Sequence, residues 1–283
     1  MKAFGGALFA AALIVATPAL GRSEFSSTQA VTASRLSAEQ IAAFSKQIET
    51  DLAERGARVA MVFRAGRGRE HLPRGIGYTH GAFWVYRDVR TQAGAVQRGY
   101  AVYNLFAGDG HDWPTTRSRL VQDWPFEFTR GSTADDVGVI IPSPEMQRRI
   151  LELIDSPVYA RLHNPSYSLI ANPWRDEHQN CVSVMLDVVA AAAWQTSDPA
   201  QIQADLRAHY KPTVVQANMV MRLFAPLADK RIQTDDQSGE IVTAAYESLA
   251  TFMRDNGLLA AAYVLPRTPD PPSAGNPAAV PAR

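Results

Sequence analysis

Cys181 is the only cysteine in the chain, so no internal disulfide can staple the fold and a packed apolar core must carry its stability. The length allows this, because about 260 residues beyond the first apolar segment suffice for one large domain with a full core. Cys181 stands in Asn180-Cys181-Val182-Ser183-Val184-Met185, where an apolar helix is expected to begin. Free N–H groups and the positive end of the helix dipole favour a thiolate there. A lone cysteine is also among the most often buried residues, and Cys181 continues the stripe of Met185, Val188 and Ala192. The residue is either a core filler or a working thiol.

Lys+Arg and Asp+Glu both total 28, which leaves no net field to attract nucleic acid or an anionic membrane. The cluster Arg64, Arg67, Arg69 and Arg74 could hold an anion locally, but reads first as a solvated loop face. Residues 1–21 read as a secretory signal peptide, with Lys2 ahead of an apolar run from Ala7 to Ala16 and small residues around Ala19 and Gly21. That run is too short to span a bilayer, so the expected product is periplasmic, soluble and free of any transmembrane segment once the signal is removed. Residues 22–36 form a loose lead-in, 37–265 a single domain, and 266–283 a disordered Pro/Ala-rich tail.

Ser37-Ala38-Glu39-Gln40 resembles a capping box ahead of Ile41, Phe44, Ile48 and Leu52 at helical spacing, with Gly56 as the stop. Strands are expected over 58–63, 79–86, 100–106, 118–123 and 137–141, the second and third as an antiparallel pair. Helices follow over 143–155, 181–195, 199–209, 217–228 and 243–255, and 258–265 is a last strand or a helix tail. The fold class is α+β, with helices on one side of a curled antiparallel sheet.

A thiol nucleophile needs a base, and the base needs an orienter. Two-residue alternation puts His80, Ala82, Trp84 and Tyr86 on one face of their strand, and Tyr100, Val102, Asn104 and Phe106 on one face of the next. Asn104 can then reach His80 from across the pair and accept Nδ1–H, leaving the other ring nitrogen for Cys181. Asn180 is a plausible N-cap, and the Cys181 N–H supplies an oxyanion donor. His178, three residues before Cys181, ranks second as a base. Tyr78, Gln122 and Asp123 are candidates for lining the cleft, with Asn180. Asp109-Gly110-His111-Asp112 reads as a turn rather than a metal site, since no second histidine stands at ligand spacing.

Tyr78-Thr79-His80 ahead of an apolar strand, with a much later Asn180-Cys181 opening a helix, resembles the permuted branch of the papain-like NlpC-type superfamily, to which the lecithin:retinol acyltransferase-like proteins belong. Those proteins carry Asn-Cys-Glu-His-Phe, whereas this chain has Val182 and Ser183 after Cys181. More closely, Ala57-Arg58-Val59-Ala60, Gly77-Tyr78-Thr79-His80, Tyr103-Asn104-Leu105, Leu120-Val121-Gln122-Asp123, His163-Asn164-Pro165, Ala171-Asn172-Pro173 and Gln179-Asn180-Cys181 are similar to the family of exported bacterial proteins catalogued as domain-of-unknown-function 2145. The papain-like resemblance implies a cysteine hydrolase or acyltransferase acting on an amide or ester of the cell envelope. A peptidoglycan stem peptide is the first expectation and a lipid acyl ester the second. Cys181 is the nucleophile, His80 the base and Asn104 its orienter, with no metal or cofactor required. The competing expectation is a non-catalytic envelope protein that binds a ligand in the same cleft. An enzyme requires Cys181 to be reachable and close to His80, whereas a thiol buried among Met185 and Val188 with His80 turned away suits the binder.

Overall fold

The computed structural model describes residues 34–90, 94–216 and 229–269. The signal segment, most of the lead-in, the helix expected over 217–228 and the tail beyond 269 lie outside the described residues.

Helix α1 (Ala38–Glu54) starts at Ser37, whose hydroxyl accepts the Gln40 N–H while the Gln40 side chain accepts the Ser37 N–H. Its Ile41, Phe44, Ile48 and Leu52 form the buried stripe the spacing predicts. The chain then runs through β1 (Val59–Arg64), β2 (His80–Arg90), β3 (Val96–Ala107), β4 (Ser118–Asp123), α2 (Pro125–Arg130), β5 (Asp136–Pro142), α3 (Pro144–Ile154) and α4 (Pro157–Arg161). After a long connection come α5 (Cys181–Trp194), α6 (Pro199–His209), β6 (Thr213–Val214), β7 (Val242–Thr243), α7 (Tyr246–Asp255) and β8 (Leu259–Pro266). Six strands make one antiparallel sheet in the order β4-β3-β2-β1-β5-β8, and β6 pairs only with β7. Segment 258–265 therefore ends as a strand pairing β5 at the sheet edge.

Helices cover both faces of this sheet, not one. Val59, Met61 and Phe63 point into a core shared with α3, α5 and α7, while Ala60 and Val62 point into a second core under α1 and Phe128 of α2. A strand buried on both faces is a continuous apolar run rather than an alternation, and Val59-Ala60-Met61-Val62-Phe63 is such a run.

Helix α5 is the central helix, with eleven of its fourteen residues buried. It lies against β2 because residue 81 is glycine: a Cβ there would stand 2.5 Å from Met185 Cε and 2.8 Å from the Phe63 ring. Gly81 thus faces α5, and alternation sends its neighbour His80 to the α1/α2 side with Ala82 and Trp84.

Candidate active site

The site forms where two strands part. Pairing of β2 with β3 runs from Arg90↔Val96 to Phe83↔Tyr103 and stops, although β2 continues to His80 and β3 to Ala107. Over this last stretch β2 is held only by β1, and β3 only by β4. The facing edges of 80–82 and 104–106 are left without a ladder between them.

The start of α5 lies against the β2 side of that gap. The Asn180 side chain accepts the N–H groups of Val182 and Ser183 at 3.0 and 2.9 Å, and Ser183 Oγ accepts the Asn180 N–H at 2.8 Å. Asn180 Nδ2 donates to Leu169 O and Thr243 Oγ1, both at 3.2 Å. Every polar atom of that side chain is therefore used to fix the helix start, so Asn180 serves as a cap and not as a lining residue. The cap sets Cys181 Sγ 3.9 Å from the Thr79 carbonyl oxygen, with the Gly81 N–H also acting on the sulfur. These two groups belong to the residues on either side of His80.

His80 and Asn104 meet across the same gap. Asn104 Oδ1 can only accept, so it takes the proton on His80 Nε2 at 2.9 Å. The expected pairing through Nδ1 is therefore corrected: Nε2 makes the bond and Nδ1 carries the free lone pair, without a partner among the described residues. Phe106 stacks on the ring at 5.4 Å and Phe128 covers it at 5.6 Å. His80 is fully buried and Cys181 is 3% exposed, and no hydrogen bond joins the sulfur to the imidazole.

Burial also reverses the expected state of the thiol. It pushes the Cys181 pKa above its ordinary value, and the N–H groups of Gly81, Cys181 and Val182 together with Arg64 only partly oppose this. The His80 imidazole is held down to about 3, by burial first and by the Arg64 charge second. The resting pair is a neutral thiol and a neutral imidazole rather than an ion pair. The helix-terminal argument for a low pKa fails here because the sulfur is removed from water altogether.

Arg64 is the residue that sequence reasoning puts in the wrong place. It was grouped with loop arginines, yet it is the last residue of β1, pairs directly with His80, and is 2% exposed. The alternation Ala60, Val62, Arg64 carried one step further would have placed it on the inner face. Its Nη1 donates to the Gly131 carbonyl oxygen and its guanidinium lies 5.4 Å from the centre of the Phe128 ring.

The remaining candidates separate. Asp123 pairs with Val102 and shares the His80 face; burial raises its carboxyl to about 6, and its charge acts on Arg64. Gln122 pairs with Tyr103, faces the opposite side and is exposed, so it does not join the site. The Tyr78 hydroxyl donates to Asp136 at 3.1 Å and its ring packs edge-on against Tyr246, which gives it a structural place instead. His178 is not a rival base for the thiol, since Ser166 Oγ meets its Nδ1 at 2.8 Å and Asp235 its Nε2 at 2.6 Å. Asp109 Oδ1 accepts three backbone N–H groups, of His111, Asp112 and Trp113, and so forms the turn expected of it. Among the described residues no three His, Cys, Asp or Glu side chains group as metal ligands, and no helix is long and apolar enough to cross a membrane.

No curated protein and no solved structure matches the chain. A family model described as an uncharacterized protein conserved in bacteria, DUF2145, matches residues 51–253. That stretch holds Arg64, His80, Asn104 and Cys181, and the chain belongs to the DUF2145 family.

Proposed function

We propose that the protein is a periplasmic thiol hydrolase or acyltransferase of permuted papain-like fold, acting on an amide or ester bond of a cell-envelope molecule. The observation that carries this reading is that Cys181 lies against the main chain on either side of His80, whose ring Asn104 orients across the strand gap. The His80–Asn104 bond of 2.9 Å leaves the basic nitrogen of the ring free. A cysteine, a histidine and an asparagine in those roles form a nucleophile–base–orienter set.

In the proposed cycle, a carbonyl carbon entering the gap is attacked by Sγ while the S–H proton passes to His80 Nδ1. The C–S bond forms, and the carbonyl oxygen takes negative charge facing the Cys181 N–H. Collapse breaks the C–N or C–O bond, and His80 returns its proton to the leaving nitrogen or oxygen. The thioester then passes its acyl group to water in a hydrolase, or to an amine or alcohol in a transferase, which regenerates the thiol. Because both groups rest neutral, proton transfer accompanies attack instead of preceding it. A peptidoglycan stem peptide is the first substrate class and a lipid acyl ester the second.

The burial of Cys181 and His80 favours a second reading, a non-catalytic envelope protein that binds its ligand without reacting. Incubating the protein with N-acetylated peptide esters and with short-chain acyl glycerol esters, followed by acid quench and intact-mass measurement, separates the two. The enzyme reading expects a thioester adduct on Cys181 that is absent from Cys181→Ser. Ligand-dependent stabilisation with no adduct from any ester would establish the binder.

A further inference from the structure

Arg64 presents a cation without a counter-ion. The residue is 2% exposed, and its guanidinium lies within 4 Å of no carboxylate among the described residues and leaves Nε without a hydrogen-bond partner. The arginines that do form ion pairs among the described residues are at the surface or partly buried, including Arg69 with Asp136 and Arg231 with Asp229. A buried charge is costly unless an opposite charge meets it. The Gly131 carbonyl supplies only a dipole. Burial pushes the Arg64 pKa down to about 10, Asp123 opposes this only from a distance, and Cys181, a neutral thiol at rest, offsets the charge only if it ionises.

The surroundings are rich in donors. Beside Arg64 Nε, the buried Asn104 Nδ2 and Trp84 Nε1 also lack partners, and both residues stand on the Arg64 face of the sheet. Phe128 packs against Arg64, His80 and Trp84 together. Unsatisfied buried donors on the same sheet face as an unpaired cation are complementary to an anionic oxygen acid.

We propose that Arg64 is the anion receptor of the Cys181 site, its guanidinium taking the carboxylate or phosphate group of the ligand whose carbonyl the thiol attacks. The link to the thiol rests on the function proposed above; anion binding itself stands on Arg64 alone. Arginine offers two parallel N–H donors to such a group, a geometry lysine lacks. An anion there also neutralises the charge that, after burial, most opposes protonation of His80, so a seated ligand strengthens the base at the moment it is needed.

The test uses thermal unfolding of the whole protein at fixed ionic strength. The probes are N-acetyl-alanyl-alanine, its C-terminal amide and glycerol 3-phosphate. The free carboxylate or the phosphate raises Tm by about 5 °C near a hundredfold excess over Kd, and the amide does not. A response to the carboxylate alone identifies a peptide terminus as the source, and a response to the phosphate alone a lipid headgroup. The shift disappears in Arg64→Met and persists in Cys181→Ser, so it survives even if the thiol proves inert. Equal shifts from acid and amide, no shift from any probe, or a full shift in Arg64→Met would overturn the proposal. If Arg64→Met does not fold, the Arg64 Nε–H resonance of the wild-type protein provides the readout. It moves on titration with the carboxylate or phosphate and not with the amide, and a resonance indifferent to all three contradicts the proposal.

Discussion

Cys181→Ala and His80→Ala each lower turnover of a cleaved ester by at least about a thousandfold, and the double variant is no slower than either single one. Three decades correspond to about 4 kcal/mol of lost transition-state stabilisation, the scale expected when a nucleophile or its base is removed. The non-additivity follows from the two acting as one unit: without the sulfur, the imidazole has no proton to accept. Asn104→Ala costs less, about ten- to a hundredfold. The nucleophile and base remain, but the Nε2–H bond that fixes the tautomer at 2.9 Å is gone. Steady-state rates on the best ester, with Tm measured for each variant, check the series. Cys181→Ala deletes one sulfur from a buried position, so its fold is retained and a lost rate is a chemical loss. Unchanged turnover in Cys181→Ala would remove the thiol from the reaction.

The stability that His80 contributes falls by about 3 kcal/mol between pH 6.5 and pH 4, at about 1.4 kcal/mol for each pH unit. Its folded pKa is depressed to about 3, against an ordinary value near 6.5 in the unfolded chain. Above 6.5 neither state is protonated and the contribution is complete. Below it the unfolded chain takes a proton that the buried ring refuses, and stability is lost until the pH reaches the folded value. Two carboxyls work the other way across the same window: burial raises Asp123 to about 6 and Asp187 to about 7, so both take up protons first in the folded state. The raw pH profile therefore mixes opposing signs. The difference in unfolding free energy between wild type and His80→Gln isolates the histidine, and it declines steadily with acid. A difference that stays flat from pH 7 to pH 4 would mean that water or an anion reaches the ring.

Much of the site was legible because it rests on short-range rules. The Asn180 cap followed from an Asx residue before an apolar helix. The meeting of His80 with Asn104 followed from period-two alternation on adjacent antiparallel strands. What escaped depends on how elements come together in space. Which ring nitrogen meets Asn104 is a matter of rotamer. The raised pKa of Cys181 depends on burial from several segments at once, and the helix end that argues for a thiolate is visible while the packing that opposes it is not. Arg64 was hidden by its neighbours, since Gly66-Arg67-Gly68-Arg69 made the whole stretch read as a loop. The short α2 escaped as well, although its Phe128 helps enclose Arg64, His80 and Trp84. Six residues are too few to show a helical period.

The rate of alkylation of Cys181 by iodoacetamide at pH 7, in the native protein and in His80→Ala, bears most directly on the claim that thiol and imidazole act as a pair. The urea-unfolded chain sets the rate of an unassisted thiol. Burial and a neutral resting state make native Cys181 slower than the unfolded thiol, and because Nδ1 takes the S–H proton as the sulfur attacks, His80→Ala slows it more than tenfold further while leaving Tm above the assay temperature. A native rate unchanged by His80→Ala would contradict the account and leave Cys181 as a core residue.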